Sequence, residues 1–178
     1  MDNSKKTLLI SGAVLVTYLL YKFGFKGYSI SKTDWIALNK NNNIDLPIKG
    51  KLKLTSPYGW RSFGGGQFHN GIDLTFKDQN VLGAPIYAPL AGEITANYFN
   101  DRSGNQVVLD SGFAKFGFAH LQNKSPLPIG TKVKKGQVIG YVGNTGTSTG
   151  AHLHFTLRLD GEIVDPIQNI TKLKNAIA

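Results

Sequence analysis

The 178-residue chain has no cysteine, one methionine and two tryptophans. Without cysteine there is no disulfide framework, no thiolate nucleophile and no cysteine-based zinc finger. The absence is compatible with an oxidising compartment. Acidic residues are also scarce: 11 Asp and Glu stand against 20 Lys and Arg, and the only glutamates are Glu93 and Glu162. Neither lies in a His-Glu-x-x-His helix, so a metalloprotease of that pattern is excluded. Gly-x-Ser-x-Gly is missing, which removes the serine-hydrolase elbow. No nucleotide-type glycine loop and no solenoid period occur either. What remains is 41% hydrophobic and 17% charged, a composition that excludes wholesale disorder. The length suits one domain with a sizeable core. A net charge of +9 admits nucleic acid, an anionic membrane or an anionic wall polymer as partner.

Leu8 to Leu20 form an apolar run interrupted only by Ser11, Gly12 and Thr17, with Lys5 and Lys6 in front. Extended to Phe25, with Lys22 snorkelling, it reaches the roughly 17–25 residues that span a bilayer. Tyr18, Tyr21, Phe23 and Phe25 suit an interfacial aromatic belt. Residues 1–28 therefore read as an uncleaved membrane anchor. A signal peptide would need a small-x-small cleavage site, and Tyr21-Lys22-Phe23-Gly24-Phe25 follows instead. Lysines flank both ends, so charge does not orient the segment. Residues 29–50, with their asparagine run and Pro47, read as a spacer.

From Lys51 onward short apolar runs alternate with turn signals such as Pro57-Tyr58-Gly59, Gly64-Gly65-Gly66 and Asp160-Gly161. With glycine at 21 of 178, the pattern predicts an all-β domain over 51–170 and a short tail over 171–178. Two stretches alternate cleanly. In 152–159, His152, His154, Thr156 and Arg158 share one face and Leu153, Phe155, Leu157 and Leu159 the other. In 69–76, His69, Gly71, Asp73 and Thr75 oppose Ile72, Leu74 and Phe76. Gly71 has no side chain, so the space above it is expected to stay open for an ion or substrate.

The chain has four histidines: His69, His120, His152 and His154. Three lie on those polar faces, and His120 ends the run Phe116-Gly117-Phe118-Ala119-His120. Two imidazoles and a carboxylate suit Zn²⁺, and three protein ligands leave a fourth position for water. Bound zinc brings the pKa of that water to about 7. With no glutamate in reach by motif, acid–base work falls to histidines outside the coordination shell. Each piece alone has an ordinary explanation, since His-x-x-x-Asp is commonly surface chemistry and His-x-His on a strand is often incidental. Their joint use of every histidine favours a metal hydrolase.

These residues resemble the M23 (lysostaphin-type) zinc metallopeptidases that cut peptidoglycan cross-links. The resemblance runs through His69-Asn-Gly-Ile-Asp73, Gly83-Ala-Pro85-Ile-Tyr-Ala88-Pro-Leu-Ala-Gly92, Gly104-Asn105 and Phe118-Ala-His120. It continues through Gly130 to Gly140, Gly146-Thr-Ser-Thr-Gly150-Ala-His152-Leu-His154-Phe and Val164-Asp-Pro166. It implies that His69, Asp73 and His154 bind one zinc, and that His120 and His152 act on the attacking water and the tetrahedral intermediate. It also implies an antiparallel β-sheet groove of the duplicated hybrid-motif type, with the metal on its floor. Three positions depart from the family pattern. Phe63 and Phe118 stand where tyrosines are common, and Thr156 replaces a frequent glutamate. Tyr58-Gly59-Trp60-Arg61 looks more like the Phe-Gly-x-Arg of members that cut D-alanyl–diaminopimelate links than like glycyl-glycine endopeptidases.

The rival reading is a non-catalytic module that binds cell wall or activates another hydrolase, but degenerate members normally lack zinc ligands and none is lacking here. The hairpin over 130–140 resembles that of lipoyl carriers, yet no lysine-bearing tip occurs. No nucleic-acid partner is expected, since only charge supports one. The expected partners are peptidoglycan peptide stems and a membrane. The domain would then face a cell wall or periplasm, or belong to a phage lysin in a virion membrane.

Overall fold

The computed structural model describes residues 29–62 and 66–178. The turn-rich sequence after Lys51 forms short strands: β1 (Leu52–Ser56), β2 (Gly59–Trp60), β3 (Phe68–His69), β4 (Ile72–Phe76), β5 (Pro85–Tyr87) and β6 (Gly92–Asn100). They continue as β7 (Gly104–Asp110), β8 (Ala114–Leu121), β9 (Lys132–Val133), β10 (Val138–Tyr141), β11 (Leu153–Leu159) and β12 (Glu162–Val164). The main sheet runs β1-β4-β11-β8-β7-β6-β9, with β12 added to β11, and its pairs are antiparallel. Two small antiparallel sheets, β5–β10 and β2–β3, stand beside it. The protein is thus mostly antiparallel β, as the turn pattern predicts.

Period-two alternation decides which face is the core. Ile72 and Leu74 on β4, and Leu153, Phe155 and Leu157 on β11, are fully buried. Phe116 and Phe118 of β8 close over them, with the Phe116 and Phe155 rings stacked at 6.1 Å between centroids. The polar residues of the same strands are forced to the opposite face.

The spacer expected over 29–50 is corrected. Ser31 opens helix α1 (Lys32–Lys40) through a capping box: the Asp34 amide donates to Ser31 Oγ, and the Ser31 amide donates to Asp34 Oδ2. Trp35, only 4% exposed, packs its ring 6.3 Å from that of Phe116. Ile44 and Ile48 are also buried in the core. Side chains of this size are each worth about 1.5–3 kcal/mol when fully buried, so the segment is part of the fold. The tail over 171–178 is corrected for the same reason. Helices α2 (Pro166–Asn169) and α3 (Thr171–Ile177) fold back, and Leu173 is fully buried. Asn39 joins the two ends, donating from Nδ2 to Asn169 O at 2.9 Å and accepting the Thr171 amide at 2.9 Å. Lys172 reaches Asp45 at 3.0 Å.

The anchor expected over residues 1–28 lies outside the described residues. Among the described residues no helix is long and apolar enough to cross a membrane.

Candidate metal centre

Register brings the polar residues together. His154 on β11 stands opposite Asp73 on β4, and on its other side opposite Ala119 of β8, next to His120. His69 reaches the same point from β3. The single strand expected over 69–76 is broken at Asn70-Gly71, so His69 belongs to the β2–β3 hairpin and Asp73 to the main sheet. His152 precedes β11 and bridges to Gly143. The open space expected above Gly71 is corrected too. A Cβ there would run into the Phe155 carbonyl and lie 2.9 Å from both His154 Cε1 and Thr156 Cγ2. Gly71 lets β11 approach closely; it does not leave room for a ligand.

The three implied ligands meet. His154 Nδ1 lies 2.9 Å from Asp73 Oδ1, His69 Nε2 lies 3.2 Å from the same oxygen, and the two nitrogens are 2.9 Å apart. Tetrahedral bonds of about 2.0–2.1 Å to zinc put ligand atoms on the order of 3.3 Å apart, so the set is nearly of coordination size. The other ring nitrogens fix the tautomers. His69 Nδ1 donates to Pro57 O at 2.7 Å, and His154 Nε2 donates to Asn70 Oδ1 at 3.2 Å. A carbonyl can only accept, so His69 Nε2 and His154 Nδ1 present lone pairs when the rings are neutral. Three acceptors then face one point, and only a positive group, a shared proton or a metal ion, satisfies all of them. The donor set fits zinc.

Electrostatics agree. Burial alone would raise the Asp73 carboxyl, but the neighbouring His154 and His69 rings outweigh it. The carboxyl is held well below the usual carboxylate range. Burial lowers His154 despite the opposing pull of Asp73, which favours the neutral, ligating imidazole.

His120 and His152 flank the cluster. Their rings are 4.6 Å apart between centroids, and His152 Nε2 is 3.7 Å from Asp73 Oδ1. His120 Nδ1 donates to Thr145 O at 2.7 Å, and His152 Nδ1 donates to Gly150 O at 2.8 Å, with Ser148 Oγ also 3.2 Å away. In both rings Nε2 is therefore the nitrogen able to take a proton. His120 has φ +59°, a left-handed backbone that only a few per cent of non-glycine residues adopt. That kink lies at the end of β8, where its pairing with β7 slips register between Asn105 and Val107. Burial lowers His120, so its imidazole is neutral in neutral solution.

The contact of Arg61 with Asp73 and the groups that orient the histidines are not expected from the sequence, although Arg61 stands in the Tyr58-Gly59-Trp60-Arg61 motif. The Arg61 guanidinium is 2.9 Å from Asp73 Oδ2. The pairing of β2 with β3, continued by the Arg61 amide on Gln67 O, folds residues 59–61 back onto 67–69. The carbonyls of Pro57, Thr145 and Gly150 carry no sequence signal at all. Two of the departures from the family pattern also have a place. Phe118 is buried in the core against Phe155, and Thr156 packs over Gly71 and Gly117. Phe63 lies outside the described residues.

Among the described residues one group of metal-capable side chains forms, His69, Asp73 and His154, and it includes neither glutamate. The profile of peptidase family M23 matches residues 67–166, which hold this group as well as His120 and His152. The chain belongs to that family. It is 34% identical over 138 residues to the DD-carboxypeptidase/endopeptidase Mpg of Neisseria meningitidis, covering 75% of this chain and 31% of that protein. Among solved structures it is similar to the antimicrobial peptidase lysostaphin from Staphylococcus simulans, at 30% identity and a TM-score of 0.57, covering 71% of this chain and 50% of that one. It is also similar to a zinc-containing peptidase from Vibrio cholerae, at 30% identity and a TM-score of 0.56, covering 67% and 37%. The chain thus spans about a third of the length of the curated relative and at most half of either solved one.

Proposed function

We propose that this M23 family member is a zinc-dependent endopeptidase that hydrolyses peptide cross-links of bacterial peptidoglycan. The observation that carries the reading is the convergence of three acceptor atoms, from His69, Asp73 and His154, beside two imidazoles whose Nδ1 atoms are held by backbone carbonyls. The names of the relatives supply the substrate class. Zinc held there would polarise a water molecule and the scissile carbonyl.

The chain's own residues divide the remaining work. His69, Asp73 and His154 hold the cation, with Pro57 O and Asn70 Oδ1 fixing the two ring orientations. His120, kept neutral by burial, takes the proton of the attacking water at Nε2. His120 Nε2 then hands that proton to the leaving amine, while His152 Nε2, on the Asp73 side, is placed where it would steady the charge that develops on the carbonyl oxygen when it carries a proton. The Thr145 and Gly150 carbonyls accept from the two Nδ1 atoms and so fix the orientation of both rings.

Residues 1–28 are proposed to tether the domain to a membrane so that it works on a wall outside it, in a bacterial envelope or a phage particle. Incubating the purified full-length chain with peptidoglycan tests the reading. Mass spectrometry should find newly freed peptide ends, and a zinc chelator should stop their release. Intact cross-links after prolonged incubation of zinc-loaded protein would contradict it and leave a wall-binding module.

A further inference from the structure

The Asp73 carboxylate is divided between two neighbours. Oδ1 faces the two imidazoles at 2.9 and 3.2 Å, while Oδ2 accepts from the Arg61 guanidinium at 2.9 Å. We propose that Arg61 is a positioning residue of the metal centre, holding Oδ2 so that Asp73 offers only Oδ1 to the cation.

The hairpin explains why this residue can do it. Gly59 pairs with His69 across β2 and β3, and the Arg61 amide donates to Gln67 O, which keeps the ladder going one step further. Side chains alternate along a strand, so Arg61 and His69 fall on one face of the hairpin, while Trp60 and Phe68 fall on the other. The Trp60 and Phe68 rings meet there edge to face at 5.6 Å. One hairpin thus delivers a ligand, His69, and the group that restrains a second ligand on β4. Its entry residue, Pro57, supplies the carbonyl that orients His69.

The restraint has something to oppose. A carboxylate can bind a cation through one oxygen or two, and Asp73 turns freely about its side-chain bonds unless the distal oxygen is held. A charge-assisted bond from a guanidinium is a strong way to hold it. With Oδ2 engaged, Oδ1 stays within 3.2 Å of His69 Nε2 and 2.9 Å of His154 Nδ1, and three protein ligands would leave a fourth position for water and substrate. Partners of this kind, acting through a ligand, are typically worth about 10–100-fold in metal affinity.

This inference rests on the zinc reading, and the test separates the two. Zinc affinity of the full-length chain is measured by competition with a chromophoric chelator, for the parent, Arg61→Met and Arg61→Lys. Methionine keeps the apolar stem and removes every donor, and lysine keeps a charged donor. Arg61→Met should bind zinc about 10–100-fold more weakly. Arg61→Lys should recover most of the loss. The cobalt(II) absorption spectrum should change in the methionine variant and return toward the parent with lysine. Circular dichroism shows whether each variant is folded, and if Arg61→Met is not, Arg61→Ala takes its place. Equal zinc affinity in the donor-free variant, or a lysine variant as weak as methionine, would overturn the role of Arg61. A parent chain that binds no zinc would overturn the metal reading itself, and this inference with it.

Discussion

Two faces of the same sheet behave differently. At the polar face of β4, β8 and β11 five titratable side chains converge, with His69 arriving from β3 and His152 from the residue before β11, each held by a hydrogen bond or ion pair to a named partner. On the other face there is almost only packing: Trp35, Ile44, Ile48 and Leu173 arrive from the two ends of the described chain and cover the sheet. Polar contacts are concentrated on the one face and apolar packing on the other. The comparison teaches that the site is carried by the sheet, but that the sheet is completed by segments far outside its own strands in sequence. A fold divided this way should lose activity and stability through different residues.

Five substitutions can break that division, and the largest effect is expected at Asp73. Asp73→Ala removes the oxygen shared by both imidazoles, so peptidoglycan cleavage should fall below detection while circular dichroism stays that of the parent. A variant that still cleaves at a substantial rate would take Asp73 out of the site. Next come His120→Ala and His152→Ala, each expected to lower turnover by roughly 10²–10⁴-fold, the range for positioned acid–base groups. Their zinc content should equal that of the parent, and a loss of metal in proportion to activity would make that histidine a ligand. Trp35→Ala acts on the other face. Emptying so large a buried site should cost about 3–5 kcal/mol in denaturant unfolding, with turnover near the parent's wherever the protein is folded. The smallest effect belongs to Asn39→Ala. It removes two hydrogen bonds that tie α1 to the C-terminal helices, and about 1–3 kcal/mol of unfolding free energy should go with them. If either of these last two variants abolished cleavage by folded protein, the separation of the two faces would be wrong.

How much of this was legible in the sequence follows the same line. The site stood out because histidine is rare here and alternation on a strand has a strict period. Asp73 and His154 could be placed on polar strand faces from their spacing alone, whereas His69 reaches the site from β3 and His152 from just before β11. The buried faces, Ile72 and Leu74 against Leu153, Phe155 and Leu157, were equally plain. The covering segments were not. Residues 29–50 carry an asparagine run and only scattered apolar residues, so no helical or strand period announces Trp35, Ile44 or Ile48 as core. The one local sign was Ser31-x-x-Asp34, the start of a capping box that the polar composition masked. Arg61 was hidden for another reason: its partner is 12 positions away and is reached only when the hairpin closes. The role of Gly71 was misjudged because sequence shows which atoms a glycine lacks and not which neighbour fills the gap.

Metal content tests the central claim most directly. Full-length protein purified without chelator, and the Asp73→Ala variant prepared in parallel, would be measured for zinc by elemental analysis. The account predicts close to one zinc per chain in the parent and little in the variant. A parent with no zinc that also takes none up from solution, or a variant that keeps the parent's full complement, would contradict it.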